Sequence, residues 1–216
     1  MKLAIINGSP RGKSSNSNRL SDWICGSMDE NTEVTKVFAS EVRKHNELVI
    51  TISGCDYFLF IFPLYTDAMP GVLKAFMEKM EAEKSSFSEK PVSFIVHSGF
   101  PESSQSITVE RYTKLFASIM GMKYISGVRM GGSEALQVAP DNFFGKKKEA
   151  FETLGRNIEN GKPFDSDSVA LLSKTRKFNG LVKFLINHTN LNDMYFINRL
   201  KKNGVHKDLY ARPYQK

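Results

Sequence analysis

Residues 56–62 (Asp-Tyr-Phe-Leu-Phe-Ile-Phe) form the most apolar run in the chain. The run is far short of the roughly 20 residues that a membrane span needs. It also lacks the alternation of a strand with one wet face. A short, continuous apolar run of this kind reads as a strand covered on both faces, which is the habit of a parallel sheet with helices above and below it. The rest of the sequence follows the same logic. Residues 3–6 and 91–96 are short apolar runs, 32–38 is β-branched and partly alternating, and Lys123–Met130 reads as a further strand. Helical patterns lie between them. Leu20, Trp23 and Ile24 recur at i, i+3, i+4, and residues 42–53 read as a helix leading into the next strand. Pro70 starts a helix whose stripe is Val72, Leu73, Phe76, Met77 and Met80. Residues 84–90 read as a polar loop. Residues 108–120 form a helix with Leu115, Phe116, Ile119 and Met120 inward, and 146–160 form another, ended by Gly161 with Pro163 beyond. Strand and helix alternate five times, which predicts an α/β layer structure.

The chain has 216 residues, enough for one domain with a full core plus an extension. Its 41% apolar and 25% charged residues are those of a soluble globular protein, and no basic-then-apolar leader pattern opens it. Cys25 and Cys55 lie far apart without metal-ligand spacing, so reduced thiols in a cytoplasmic protein are expected. The net charge of +7 is unevenly placed: residues 174–216 hold ten basic and two acidic residues, the remainder twenty and twenty-one. Such a basic segment suits nucleic acid, anionic lipid or simply water, and a solvated helix face is the preferred reading, with no nucleic acid expected. Residues 165–173 read as a linker or short helix. Residues 178–200 read as an amphipathic helix broken near 187–192, with Phe178, Leu181, Val182, Leu185, Leu191, Met194 and Tyr195 as its stripe. That stripe suits docking on its own domain, across a dimer or on a membrane. Residues 201–216 show no pattern. The expected division is therefore a domain at 1–163 and a basic helical extension at 164–216.

In an open parallel sheet, ligands collect beyond the C-terminal ends of the strands, where the strand order switches. Three loops sit at such ends: 7–17, 63–71 and 97–102. The first is Asn-Gly-Ser-Pro-Arg-Gly-Lys-Ser-Ser-Asn-Ser, placed where a strand hands over to a helix. Ser and Asn cap helix N-termini, whose unpaired N–H groups and partial positive charge form an anion seat. The same residues also serve an ordinary capped helix. The dinucleotide fingerprint is absent, since Gly8 and Gly12 are wrongly spaced for it, and a Walker loop is absent because position 7 is Asn. A hydroxyl-rich loop with few glycines suits a terminal monophosphate. The other two loops carry flat side chains, Tyr65 in one and His97 and Phe100 in the other, and Gly99 permits close backbone approach. A ligand with a phosphate at one end and a flat heterocycle at the other fits, and flavin mononucleotide (FMN) is such a ligand.

Gly8-Ser9-Pro10-Arg11 followed by Ser15-Asn16-Ser17, with Pro63-Leu64-Tyr65 and the run from Met69 to Phe76, resembles the flavodoxin-like NAD(P)H-dependent FMN reductase family, which includes quinone and azo reductases. The likeness covers about residues 1–160. It implies a flavodoxin-like three-layer α/β/α sandwich with a five-stranded parallel sheet, FMN as cofactor, NAD(P)H as co-substrate and a homodimer, with the C-terminal extension a candidate for the interface. It implies that Ser9, Arg11, Ser15, Asn16 and Ser17 hold the phosphate, that Pro63, Leu64, Tyr65 and Thr66 pass beside the ribityl chain and ring, and that His97, Ser98, Gly99 and Phe100 form the third flavin loop. Some relatives carry a cysteine motif for an iron–sulfur cluster; the single Cys55 in that region predicts none here.

Hydride transfer through a flavin draws its reactivity from the cofactor, so no acid/base dyad is required and no catalytic side chain is assigned. Proton delivery to a reduced quinone would fall to Tyr65 or His97. Two other roles fit the same residues: a flavodoxin-type electron carrier, or a flavin-free interaction protein using its basic extension. Carriers of the first kind are usually acidic, which the near-neutral body is not. Trp23, Cys25 and Cys55 read as packing residues, and His45, His188 and His206 as surface residues.

Overall fold

In the computed structural model of the chain, which describes residues 1–175, 180–205, 211, 212 and 214, the run at 56–62 forms β3 (Tyr57–Pro63), with every residue buried. The sheet order is β2 (Glu33–Phe38), β1 (Lys2–Asn7), β3, β4 (Pro91–His97) and β5 (Lys123–Met130), and every pairing is parallel. The chain starts at β1, moves outward to β2, then returns past β1 to β3. The strand order thus switches between β1 and β3, at the loops 7–17 and 63–71.

Alternate residues of each strand feed two separate cores. One face carries Ala4, Ile6, Phe58, Phe60, Phe62, Phe94 and Val96 against α2 (His45–Ser53), α3 (Gly71–Met80) and α5 (Ile107–Ile119). The opposite face carries Leu3, Ile5, Leu59, Ile61, Ile95 and Val128 against α1 (Asn16–Cys25), α6 (Gly145–Glu159) and α7 (Ser166–Ser173). Tyr57 lies on this second face, where its hydroxyl pairs with Ser93 Oγ at 2.7 Å, and burial pushes its pKa up to about 12. These two apolar layers make the three-layer sandwich, and the apolar side chains of β3 have nowhere else to go.

Several expectations need correction. Residues 84–90 are not simply a polar loop: α4 (Lys84–Phe87) turns Phe87 fully inward, edge-on to Phe58. On α5 the buried stripe is Val109, Thr113, Phe116, Ala117 and Met120, whereas Leu115 and Ile119 are 57% and 52% exposed. The apolar residues of this helix exceed one face, and the pattern alone did not rank the two stripes. His45 is buried, its Nε2 2.7 Å from Ala39 O and its ring edge-on to Phe76. The first compact unit runs Met1–Arg176, past the expected boundary at 163. Phe164 and Leu172 are buried with the second core, and Phe164 N–H donates to Ser126 Oγ at 2.9 Å. The short-helix alternative for 165–173 therefore holds, capped by Asp165, whose side chain accepts from Ser168 N–H at 2.8 Å.

The second unit, Lys177–Lys216, contains α8 (Gly180–His188) and α9 (Leu191–Lys202), interrupted at Thr189 and Asn190 as the pattern suggested. Leu185 and Met194 of the expected stripe are exposed; the other stripe side chains lie outside the description, as does His206. Among the described residues no helix is long and apolar enough to cross a membrane.

Helix α6 approaches α1 closely at one point. A Cβ on Gly155 would meet Ile24 O at 2.4 Å and Ser27 Oγ at 2.8 Å. Gly155→Ala is expected to destabilise the fold by about 2 kcal/mol despite the better helix propensity of alanine. Gly145→Ala, where nothing lies within 4 Å, serves as control and is expected to leave stability level or slightly raised. Urea midpoints for the two variants check this.

Candidate functional site

A cleft of about 430 Å³, partly open to solvent, lies over the β1–β3 switch. It is lined by Ser9, Arg11, Ser15 and Asn16 from the first loop, Pro63, Leu64 and Tyr65 from the second, and His97, Ser98 and Gly99 from the third. Three loops that are distant in sequence thus converge as expected from the strand-end rule. A fourth contributor follows β5: Ser133, Glu134 and Gln137. Thr66, Ser17 and Phe100 are not among the lining residues. Phe100 is 56% exposed near the rim, and Tyr65 is 45% exposed.

The first loop is built around Asn7, the last residue of β1. Its Oδ1 accepts from Ser9 N–H at 2.9 Å, and its Nδ2 donates to Ser15 Oγ at 3.1 Å and Gly12 O at 3.3 Å. One buried carboxamide therefore closes the whole turn. Gly8 is needed because a Cβ there would meet Leu73 Cδ2 at 2.6 Å and Phe62 Cβ at 2.8 Å. Ser15 caps α1: its Oγ accepts from Asn18 N–H at 3.1 Å and donates to Gly12 O at 2.6 Å. The Ser15 proton is thus committed to the loop itself. The uncommitted donors are others. The backbone N–H groups of Asn16 and Ser17, in the first turn of α1, have no acceptor among the described residues. Ser9 Oγ accepts from Arg11 N–H at 3.3 Å and keeps its own proton. The Arg11 guanidinium is exposed and has no partner among the described residues. The positive potential this loop offers comes more from backbone N–H and helix dipole than from the serine hydroxyls.

Ser17 has a different role. It is fully buried, and its Oγ lies 2.8 Å from His97 Nε2. The other ring nitrogen, Nδ1, lies 3.0 Å from Ser133 Oγ, which donates to Ser98 O at 2.9 Å. With that proton on the carbonyl, Ser133 accepts from Nδ1–H, and Nε2 accepts from Ser17 O–H. The imidazole is neutral, and burial pulls its pKa down to about 4. His97 therefore links α1, the end of β4 and the loop after β5, with no free nitrogen to shuttle a proton.

The fourth loop is tied at several points. Asn16 Nδ2 donates to Ser133 O at 2.8 Å, and Ser133 N–H to Ser98 O at 2.8 Å. Further on, Asp141 accepts from Trp23 Nε1 at 3.0 Å and from Arg19 Nε at 2.8 Å. The Trp23 hydrogen bond first, and then the Arg19 hydrogen bond, hold the Asp141 carboxyl below the usual carboxylate range. The second loop folds back on itself. Tyr65 and Ala68 exchange backbone hydrogen bonds at 2.9 and 3.0 Å across Thr66 and Asp67, both left-handed, with φ of 48° and 60°. A β-branched residue in that region costs about 1–3 kcal/mol, so the turn is held in place by its surroundings.

Sequence reasoning named most of this cleft and missed Asn7, Ser133, Glu134 and Gln137. The signal for the last three was present: Gly131-Gly132-Ser133 also follows the C-terminal end of a strand.

The sequence profile of the NADPH-dependent FMN reductase family matches residues 1–136. No curated protein matches the chain. Among solved structures, an FMN-dependent NADH-azoreductase from Bacillus anthracis in complex with FMN is 14% identical, with 73% of this chain and 99% of that one covered at a TM-score of 0.56. An NADPH-quinone reductase from P. pentosaceus is 18% identical, with 73% and 97% covered at 0.52. The Trp repressor binding protein from Bacillus subtilis is 19% identical, with 70% and 96% covered at 0.54. At these identities the structural likeness establishes a shared flavodoxin-like fold.

The depressed pKa of His97 has a thermodynamic consequence. The unfolded chain takes up a proton near pH 6.5 that the folded chain refuses until about pH 4. Stability is therefore full above pH 6.5 and falls by roughly 3 kcal/mol as pH drops through that window. In His97→Gln this component vanishes, so the stability gap between wild type and variant is expected to narrow between pH 7.5 and pH 4.5, as read from urea midpoints.

Proposed function

The chain belongs to the NADPH-dependent FMN reductase family, and on that premise we propose that its cleft seats FMN and passes reducing equivalents from NAD(P)H to a small acceptor such as a quinone or free flavin. FMN is the cofactor and NAD(P)H the co-substrate of this family of oxidoreductases. The observation that carries the reading is the unpartnered N–H group of Asn16 at the start of α1, with Ser9 Oγ and Arg11 lining the same cleft as Tyr65. Unpaired donors at a helix start call for an anion. An exposed aromatic ring bordering the same cleft offers a surface to a flat heterocycle. The residues present therefore fit an aromatic phosphomonoester.

When bound, FMN supplies the hydride-accepting and hydride-donating chemistry. The chain's own residues do the rest. Asn16 N–H, Ser9 and Arg11 grip the phosphate at the α1 N-terminus. Pro63, Leu64 and Tyr65 border the sugar chain and ring, and Ser98 and Gly99 form the facing wall, with Thr66 and Phe100 next to these residues in the chain. Gly99 N–H has no acceptor among the described residues and can donate to a ring-edge acceptor. His97 acts as a brace behind this wall. A proton needed by a reduced acceptor comes from Tyr65 or from water, because both His97 nitrogens are occupied. The near-neutral body favours turnover of small molecules over docking of a basic partner protein, which sets the enzyme reading above the electron carrier.

The proposal includes a homodimer. Tyr112, Leu115 and Ile119 fall at i, i+3, i+7 on the outer side of α5, and such an exposed apolar stripe suits an interface.

An absorption spectrum of purified protein with added FMN is expected to show the perturbed flavin bands of a bound complex, bleached by NADPH and restored by a quinone. Arg11→Ala is expected to weaken FMN about tenfold, the worth of one charge-assisted hydrogen bond. Absence of any spectral change or heat of binding would sink the proposal. In sedimentation velocity the wild type is expected to run as a dimer and Leu115→Glu as a monomer.

A further inference from the structure

We propose that the second unit, Lys177–Lys216, is an interfacial anchor that lies on a bilayer containing anionic lipid. The evidence is independent of the flavin cleft. The described part of this unit exposes Phe184, Leu185, Met194, Ile197 and Val205, all large apolar side chains. Phe184 and Met194 are each 57% exposed, even though the Phe184 ring stacks on His188 at 4.4 Å. So many exposed apolar groups in two short helices need a covering surface.

Charge decides which surface. Residues 177–216 carry eight basic and two acidic residues, while the remainder is near balance at twenty-two against twenty-one. A second copy of the same unit would set two strongly positive surfaces against each other. Nucleic acid would satisfy the charge and leave the apolar groups in water. An anionic bilayer satisfies both: apolar side chains enter the acyl boundary, and lysines reach back to the headgroups. Lys201 and Lys202 are exposed and follow Ile197 by about one helical turn, which places ammonium groups beside apolar ones. Helix α8 has nine residues and α9 twelve, far short of a span, so the unit would lie along the surface.

The test uses the full chain in vesicle flotation. Vesicles of phosphatidylcholine with about one third phosphatidylglycerol are expected to carry the protein, and pure phosphatidylcholine at least tenfold less. Raising salt to about 0.5 M is expected to weaken binding about tenfold by screening the lysines. Phe184→Glu with Met194→Glu, and separately Lys201→Glu with Lys202→Glu, are each expected to lose at least tenfold, with far-UV circular dichroism and heat stability of the chain unchanged. Three results overturn the proposal. One is no flotation on anionic vesicles. Another is equal binding by the Phe184→Glu, Met194→Glu variant. The third is a self-association abolished by that variant in a chain that ignores vesicles. None of these readouts involves the flavin, so failure here leaves the cleft assignment standing.

Discussion

β3 has no wet face, and the architecture follows from that fact. Each side of its Phe-Leu-Phe-Ile-Phe core needs its own cover, so the chain must supply helices above and below. Parallel pairing on both edges then forces crossovers, and crossovers return every strand in the same direction. All five strand ends therefore point one way, and the loops that follow them share one rim. The cleft arises where that rim opens, between β1 and β3. Function is located by the sheet before any site residue is chosen.

Two buried polar groups convert that opening into a shaped site. Asn7 fixes the first loop from within, holding Ser9 N–H, Gly12 O and Ser15 Oγ together through one carboxamide. His97 joins Ser17 to Ser133, so α1 and the loop after β5 cannot move independently. The imidazole is suited to this because it offers one donor and one acceptor on opposite sides of a rigid ring. Its burial keeps it uncharged, which leaves the electrostatics of the seat to the α1 dipole and Arg11.

What the sequence made readable tracks the strength of its periodic signals. Continuous apolar strands and turn-rich loops identify an alternating α/β chain, and position within that alternation places loops 7–17, 63–71 and 97–102 together. What escaped reading depends on contacts between distant residues. Ser15 and Ser17 look alike in sequence, yet one caps a helix and the other faces a histidine eighty positions away. His45 reads as a surface residue until β2 delivers Ala39 O to its ring. Leu115 and Phe116 are equally apolar, and only the angle at which α5 lies on the sheet turns one in and the other out. The packing beyond 163 escaped for a related reason: Pro163 ends a helical pattern, but Phe164 and Leu172 still fill the second core.

The placement of charge links the two units chemically. Among the cleft-lining residues, Arg11 is the cation and Glu134 the anion, so the cleft is close to balanced before any ligand enters. A dianion entering it would be met mainly by fixed dipoles, which do not titrate in the physiological range. Along the sequence, the excess positive charge is concentrated in residues 174–216. Ten basic residues spread around a cleft would attract polyanions to it non-specifically. With Arg11 balanced by Glu134, the cleft can discriminate by shape and N–H geometry rather than by net charge.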